Sequence, residues 1–175
     1  MLLARQAAVL LARQAAVLLA PRAAVGTVRA MVDVPLVRLD PDLPLPGRAR
    51  EGDAAFDVVA RSSVELAPGT RALVPTGIAL ALPPGWCGLL LPRSGLAMHS
   101  GLTVLNAPGL VDAGYRGELQ VLLVNTGSEP VRVQRGERIA QLLVQPVPDV
   151  RLVEVTELPP SHDGRGEAGF GSSGR

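Results

Sequence analysis

From Met31 onward the chain is built of short apolar runs rich in Val and Leu, cut by Gly and Pro at close intervals. That punctuation constrains the fold more than any other feature, because apolar runs this short between turn residues read as β-strands. The pattern predicts strands over Val34–Leu39, Thr70–Val74, Gly77–Leu82, Trp86–Leu91, Leu102–Leu105, Glu118–Val124, Val131–Arg135, Arg138–Val144 and Arg151–Val155. The breaks between them are Asp40-Pro41, Ala67-Pro68-Gly69, Pro83-Pro84-Gly85 and Gly136. Only Leu96–Ser100 reads as a short helix. Many short strands without crossover helices predict an all-β chain, a jelly-roll-like sandwich or barrel.

At 175 residues the chain has room for one domain with a real core. Its net charge is +1 and its aromatic content 2%. That balance argues against a nucleic-acid surface, which needs a basic face or stacking rings. All 17 basic residues are Arg, as in a coding sequence pushed towards GC-rich codons. Against that bias the rare residues are informative. The single Tyr is Tyr115, the two Asn are Asn106 and Asn125, and one of two Phe is Phe170. Cys87 stands alone beside Trp86, which excludes a disulfide framework and reads as a buried, inert thiol. His99 and His162 lack the spacing of a metal pair and are expected to be solvated.

Residues 1–30 are a different kind of sequence. Leu2–Val9 recurs unchanged at Leu10–Val17 and in degraded form at Leu18–Val25. At about 100° per residue, a period of eight turns each copy roughly 80° from the last, so no apolar stripe forms. Arg5, Arg13 and Arg22 interrupt every apolar run short of a membrane span. Three readings fit: translated repeat DNA upstream of a start at Met31, a transit or accessory segment, or an interaction helix. The first is the expectation, which makes 1–30 dispensable, 31–160 the β domain and 161–175 a flexible Gly-rich arm.

Two Gly-punctuated turns carry the chemistry. Pro92-Arg93-Ser94-Gly95-Leu96-Ala97 offers a guanidinium, a hydroxyl and an unhindered backbone N–H, the donors a polyphosphate needs. Asn106–Glu118 offers a carboxylate, Asp112, and a ring, Tyr115, between apolar strands. A carboxylate near a phosphate cradle suggests activated water attacking a phosphoryl group. Arg165–Gly174 adds a second cradle. Each segment alone is ordinary: an Asp before Gly is commonly a turn residue, and a Gly-rich tail a linker.

Taken in order, five segments resemble the five motifs of the homotrimeric dUTPases: Asp53–Asp57, Pro92–Ala97, Asn106–Glu118, Gly136–Leu142 and Arg165–Gly174. The resemblance covers nearly everything from Met31 onward and implies the family's β jelly roll. It implies hydrolysis of dUTP to dUMP and pyrophosphate, limiting uracil in DNA and supplying dUMP for dTMP synthesis. By position, Asp112 would activate the water that attacks the α-phosphorus. Tyr115 would lie against the deoxyribose, and Asn106 would read the uracil edge with the hairpin backbone. Arg93, Ser94 and Gly95 would bind phosphates, helped by Gln141. Arg165 would clamp the γ-phosphate, Phe170 would close over the uracil, and Gly171 and Ser172 would join in binding the substrate. Asp57 would assist, through water, a Mg²⁺ held mainly by the triphosphate. The implied partners are dUTP and two further copies of the chain, sharing sites in a trimer, without nucleic acid or membrane; the implied location is cytoplasmic. The sequence departs from the family pattern at Ala55 and Ala168, where Gly is usual. Deoxycytidine triphosphate deaminase shares the fold but would carry a Glu base and further Arg around the second motif, where this chain has Gly95-Leu96-Ala97-Met98. A catalytically inert nucleotide-binding relative is the non-enzyme alternative, opposed by the intact Asp112, Arg165 and Phe170.

Overall fold

The computed structural model describes residues 31–162. Their ten strands are β1 Leu36–Arg38, β2 Phe56–Val59, β3 Val64–Leu66, β4 Arg71–Leu80, β5 Trp86–Leu91, β6 Leu102–Val104, β7 Gly109–Val111, β8 Glu118–Asn125, β9 Val131–Val133 and β10 Arg138–Pro146. One four-stranded sheet has the order β1-β4-β8-β6, the other β2-β10-β5-β7, and β3-β9 forms a small third ribbon. Every pairing is antiparallel. The expected all-β fold is what these residues adopt.

The core is one continuous apolar layer between the two larger sheets. Val74, Ile78, Leu119, Val121 and Leu123 come from the first sheet, and Val58, Leu90, Val111, Ile139 and Leu142 from the second. β8 shows why the sequence folds this way. Its burial alternates residue by residue, with Leu119, Val121 and Leu123 inward and Gln120 exposed, the period-two signature of a strand with one buried face. At the end of β8 the alternation places Asn125 in the core. Its amide is satisfied there by donating to the carbonyls of Leu66 (2.9 Å) and Glu129 (2.8 Å) and accepting from Gly127 N–H (2.9 Å). One of the two rare asparagines is therefore structural.

Several sequence expectations shift in the structure. Thr70–Val74 and Gly77–Leu82 are halves of a single strand, β4. The pairing with β8 slips between Pro75 and Ala79, so the Pro-Thr-Gly step is a bulge and not a turn. Gly77 has φ +76°, and a Cβ on it would lie 3.0 Å from Asp40 Cβ and 3.1 Å from Leu43 Cδ1. The short helix α1 begins earlier than expected, spanning Ser94–Ser100, and ends on a left-handed Gly101. β2, β3 and β7, of three or four residues each, are strands that the sequence pattern does not give.

Arg151–Val155 is not a strand. Leu152 is 94% exposed, and Val153 and Val155 are also exposed. Alternation makes a strand only where a sheet edge and a core receive it, and the segment pairs with no strand among the described residues. Cys87 is buried and unpaired, and His99 and His162 are exposed, all as expected.

Candidate active site

The Asn106–Glu118 segment carries the chain from the edge of the second sheet, where β7 lies, into β8 of the first. β7 pairs with β5, setting Gly109 against Leu90, Leu110 against Leu89 and Val111 against Gly88. Val111 is buried and anchors the segment, while its neighbours Leu110 and Asp112 face outward. Beyond it the chain turns, with Tyr115 N–H donating to the Asp112 carbonyl (3.0 Å). Arg116 staples the turn from outside, its guanidinium donating to the carbonyls of Ala113 (2.6 Å) and Tyr115 (2.7 Å).

This segment lines a pocket of about 270 Å³ that brings together Asn106, Asp112 and Tyr115, with Leu73, Leu110 and Gln120 on its walls. Asn106 and Tyr115 are exposed, and so is the Asp112 carboxylate, which has no hydrogen-bond or ion-pair partner among the described residues. Tyr115 is held from two sides. Its hydroxyl donates to the Glu118 carbonyl (2.8 Å), and its ring lies across Gly117, where a Cβ would sit 2.5 Å from the phenol oxygen. The glycine of Tyr-Arg-Gly is thus the floor on which the ring rests.

A second cluster gathers around Asp57 on β2. Arg138 Nη1 reaches one carboxylate oxygen at 3.0 Å, Arg93 Nε the other at 3.7 Å, and Gln141 Nε2 donates to the latter at 3.4 Å. Arg93 also donates to the Arg138 carbonyl (2.6 Å), tying the start of α1 to β10. Register explains the gathering: Gln141 on β10 stands opposite both Asp57 on β2 and Leu91 on β5, two residues before Arg93. Ser94 and Gly95 open α1 and are exposed, with nothing within 4 Å of the space a Gly95 side chain would fill. The first-turn N–H groups of a helix have no partner within it, so this corner presents backbone donors beside two guanidinium groups.

The two clusters are not neighbours. Val111 sits opposite Gly88, so Asp112 lies towards the Trp86 end of β5, whereas Arg93 follows the other end. β5 is six residues long, about 20 Å at ~3.3 Å per residue. Arg165, Phe170, Gly171, Ser172 and Ala168 lie outside the described residues.

A third network lies beneath the segment. Asp40 takes both Nη atoms of Arg135 (2.5 and 3.0 Å) and Nε of Arg61 (3.4 Å), and Arg61 reaches Glu118 (3.2 Å). The hydrogen bonds from Arg135 hold the Asp40 carboxyl down at about 2. The sequence motifs contain Arg116, Gly117, Glu118 and Arg138 without giving them a role. Arg61 leaves no local pattern at all, because its partner Glu118 is 57 positions away.

Among the described residues no group of three His, Cys, Asp or Glu stands together to hold a metal. A lone half-buried carboxylate suits an ion that keeps its waters and takes most of its ligands from phosphates. Asp57, the carboxylate that the sequence motifs offer for such an ion, is not alone, since Arg93 and Arg138 already flank it. No helix among the described residues is long and apolar enough to cross a membrane.

Two four-stranded antiparallel sheets thus carry an exposed carboxylate in one pocket and a guanidinium-lined corner elsewhere. The dUTPase family model matches residues 42–174. The deoxyuridine 5'-triphosphate nucleotidohydrolase of Mycolicibacterium gilvum (strain PYR-GCK) is 57% identical over 143 residues, 79% of this chain and 93% of that protein. That of Thermobifida fusca (strain YX) is 57% identical over 150 residues, 85% of this chain and 80% of the relative. The dUTPase of Staphylococcus bacteriophage 80alpha, solved as a point mutant with dUpNHpp, superposes with a TM-score of 0.75 at 29% identity, over 83% of this chain and all of that one. A mutant dUTPase from phage phi11 of S. aureus, described with a structural Mg(II) ion, gives 0.66 at 25% identity over 72% of this chain and 98% of that one. The chain belongs to the dUTPase family. Its activity is that of a dUTP diphosphatase, converting dUTP to dUMP and pyrophosphate.

Proposed function

We propose that Asp112 is the base that orients and deprotonates the water attacking the α-phosphorus of dUTP. The observation that carries this reading is an exposed carboxylate, without a partner among the described residues, in the same pocket as Asn106 and Tyr115. A carboxylate already saturated by cations is a poor proton acceptor, whereas this one has its lone pairs free. In the proposed site Asn106 and the backbone of its segment read the uracil edge. Tyr115 packs against the sugar and leaves no room for a 2′-hydroxyl. Arg93, Ser94 and Gly95 take the phosphates with Gln141, and the arm supplies Arg165 to the γ-phosphate and Phe170, Gly171 and Ser172 over the base.

The separation of Asp112 from Arg93 along β5 supports a site assembled between subunits, since a triphosphate nucleotide must touch both groups at once. A homotrimer with shared sites meets that requirement. Exposed Val150, Leu152, Val153, Val155 and Leu158 supply apolar surface that such an assembly would cover. Mg²⁺, bound chiefly by the triphosphate with Asp57 assisting through water, would neutralise charge on the phosphates. The cytoplasm, where deoxynucleotides are made and used, is the proposed location.

Asp112→Asn tests the assignment. The amide keeps the shape but cannot take a proton, so the variant should bind a non-hydrolysable dUTP analogue normally. It should turn dUTP over at least about a hundredfold more slowly. Turnover near the native rate would remove Asp112 from the role of base.

A further inference from the structure

The support beneath Tyr115 extends beyond the Asn106–Glu118 segment itself. The ring is substantially exposed, at 44%, so packing does not enclose it, and its one hydrogen bond goes to the backbone carbonyl of Glu118. The position of that carbonyl depends on what Glu118 does with its side chain. Oε1 accepts the Gly77 N–H at 2.8 Å, and Arg61 Nη1 approaches both carboxylate oxygens at 3.2 and 3.3 Å.

Gly77 has a free N–H because β4 bulges there: the register with β8 slips just where Glu118 faces Ala79. The same bulge turns Thr76 inward, where its hydroxyl donates to the Leu119 carbonyl at 2.6 Å. Two consecutive residues at the start of β8 are therefore pinned to β4 by side-chain bonds, in addition to the ladder. Arg61 is fixed in turn. Its N–H donates to the Pro75 carbonyl (2.8 Å), its carbonyl accepts from Arg135 (2.8 Å), and its guanidinium reaches Asp40 and the Leu39 carbonyl. A rigid path runs from Asp40 and Arg135 through Arg61 and Glu118 to the phenol.

We propose that Glu118, backed by Arg61, is a positioning residue for sugar discrimination: its carboxylate fixes the carbonyl that holds Tyr115 in place against the deoxyribose. The inference rests on the reading of Tyr115 as the ring that packs on the sugar. Charge-assisted bonds to a half-buried carboxylate are among the stronger ones, and removing the acceptor leaves the Gly77 N–H without its partner and the Arg61 guanidinium with only Asp40 and the Leu39 carbonyl. The end of the segment then loosens, and the ring with it.

The test uses the full chain with Mg²⁺ and compares kcat/KM for dUTP and UTP. Glu118→Ala should lower the dUTP:UTP ratio about tenfold, mainly through a higher KM for dUTP and a gain with UTP. Glu118→Gln, which keeps an acceptor for Gly77, should restore most of the ratio. Arg61→Leu should give a fall of about threefold. Tyr115 is the sole tyrosine, so ring-labelled tyrosine NMR reads its environment directly. Its signal should shift in Glu118→Ala and Arg61→Leu and return in Glu118→Gln. Should Glu118→Ala not fold, Arg61→Leu and Glu118→Gln carry the same two measurements. Variants that lose thermal stability while the ratio and the tyrosine signal stay native would overturn the inference, leaving Glu118 a purely structural ion pair. Tyr115→Ala separates the two levels. If it collapses the ratio while the Glu118 and Arg61 variants do not, the positioning role fails alone. If Tyr115→Ala itself keeps the native ratio, the reading of Tyr115 fails and takes this inference with it.

Discussion

The Asn106–Glu118 segment and the Asp57 cluster each hold a carboxylate, exposed in the first and mostly buried in the second, and they treat it in opposite ways. Asp57 is flanked by Arg93, Arg138 and Gln141, so its charge is compensated and its oxygens are occupied. Asp112 stands on a turn held by backbone bonds, by Arg116 and by the Tyr115–Glu118 contact, none of which touches its carboxylate. A compensated carboxylate is suited to arranging cations, and a free one to accepting a proton. The pair shows that one functional group can be given two environments according to where the neighbouring arginines point.

The largest effect expected from this contrast is all-or-none. If the Asp112 and the C-terminal arm that serve one substrate come from different chains, Asp112→Asn and a deletion after Pro160 are each inactive alone but complement one another. Refolded together in equal amounts, they should recover about a quarter of native turnover in a cyclic trimer, since two independent subunit choices must both fall correctly. Mixed oligomers, verified by native mass spectrometry, that recover nothing would mean that the site is built within one chain.

Asp57→Asn probes the compensated side. Freed from Asp57, Arg93 and Arg138 lose their common anchor. Expected is a loss on the order of tenfold in kcat/KM, with a higher Mg²⁺ concentration needed for half-maximal rate. A drop in kcat as deep as that of Asp112→Asn, with unchanged Mg²⁺ dependence, would erase the distinction between the two carboxylates.

On the Asn106–Glu118 segment a neutral change should act more gently. Gly117→Ala places a methyl where the phenol now lies, and the flexible side chain moves before the backbone does. Its dUTP:UTP selectivity should fall about fivefold with thermal stability nearly native. An unchanged ratio would show that the ring tolerates displacement. The smallest effect, none measurable, is expected from starting the chain at Met31, compared by thermal midpoint and dUTP turnover. Loss of several degrees or of most activity would make residues 1–30 part of the working protein.

What the sequence determined by itself was local. Spacing of Val and Leu between Gly and Pro made β5, β8 and β10 legible. The order of five motifs made the dUTPase family legible, because reactive groups in turns leave short linear patterns. The same reasoning misjudged Arg151–Val155, whose alternation is real but which pairs with no strand among the described residues. It also split β4 at Pro75-Thr76-Gly77, since a bulge and a turn use the same residues. The tertiary structure alone decided which carboxylate is free, that Asp112 and Arg93 lie at opposite ends of β5, and that Arg61 reaches Glu118. Those facts depend on strand register and on contacts between residues far apart in sequence. The free energy of such contacts resides in pairs brought together by the sheet, and no periodicity along the chain encodes the distance between them.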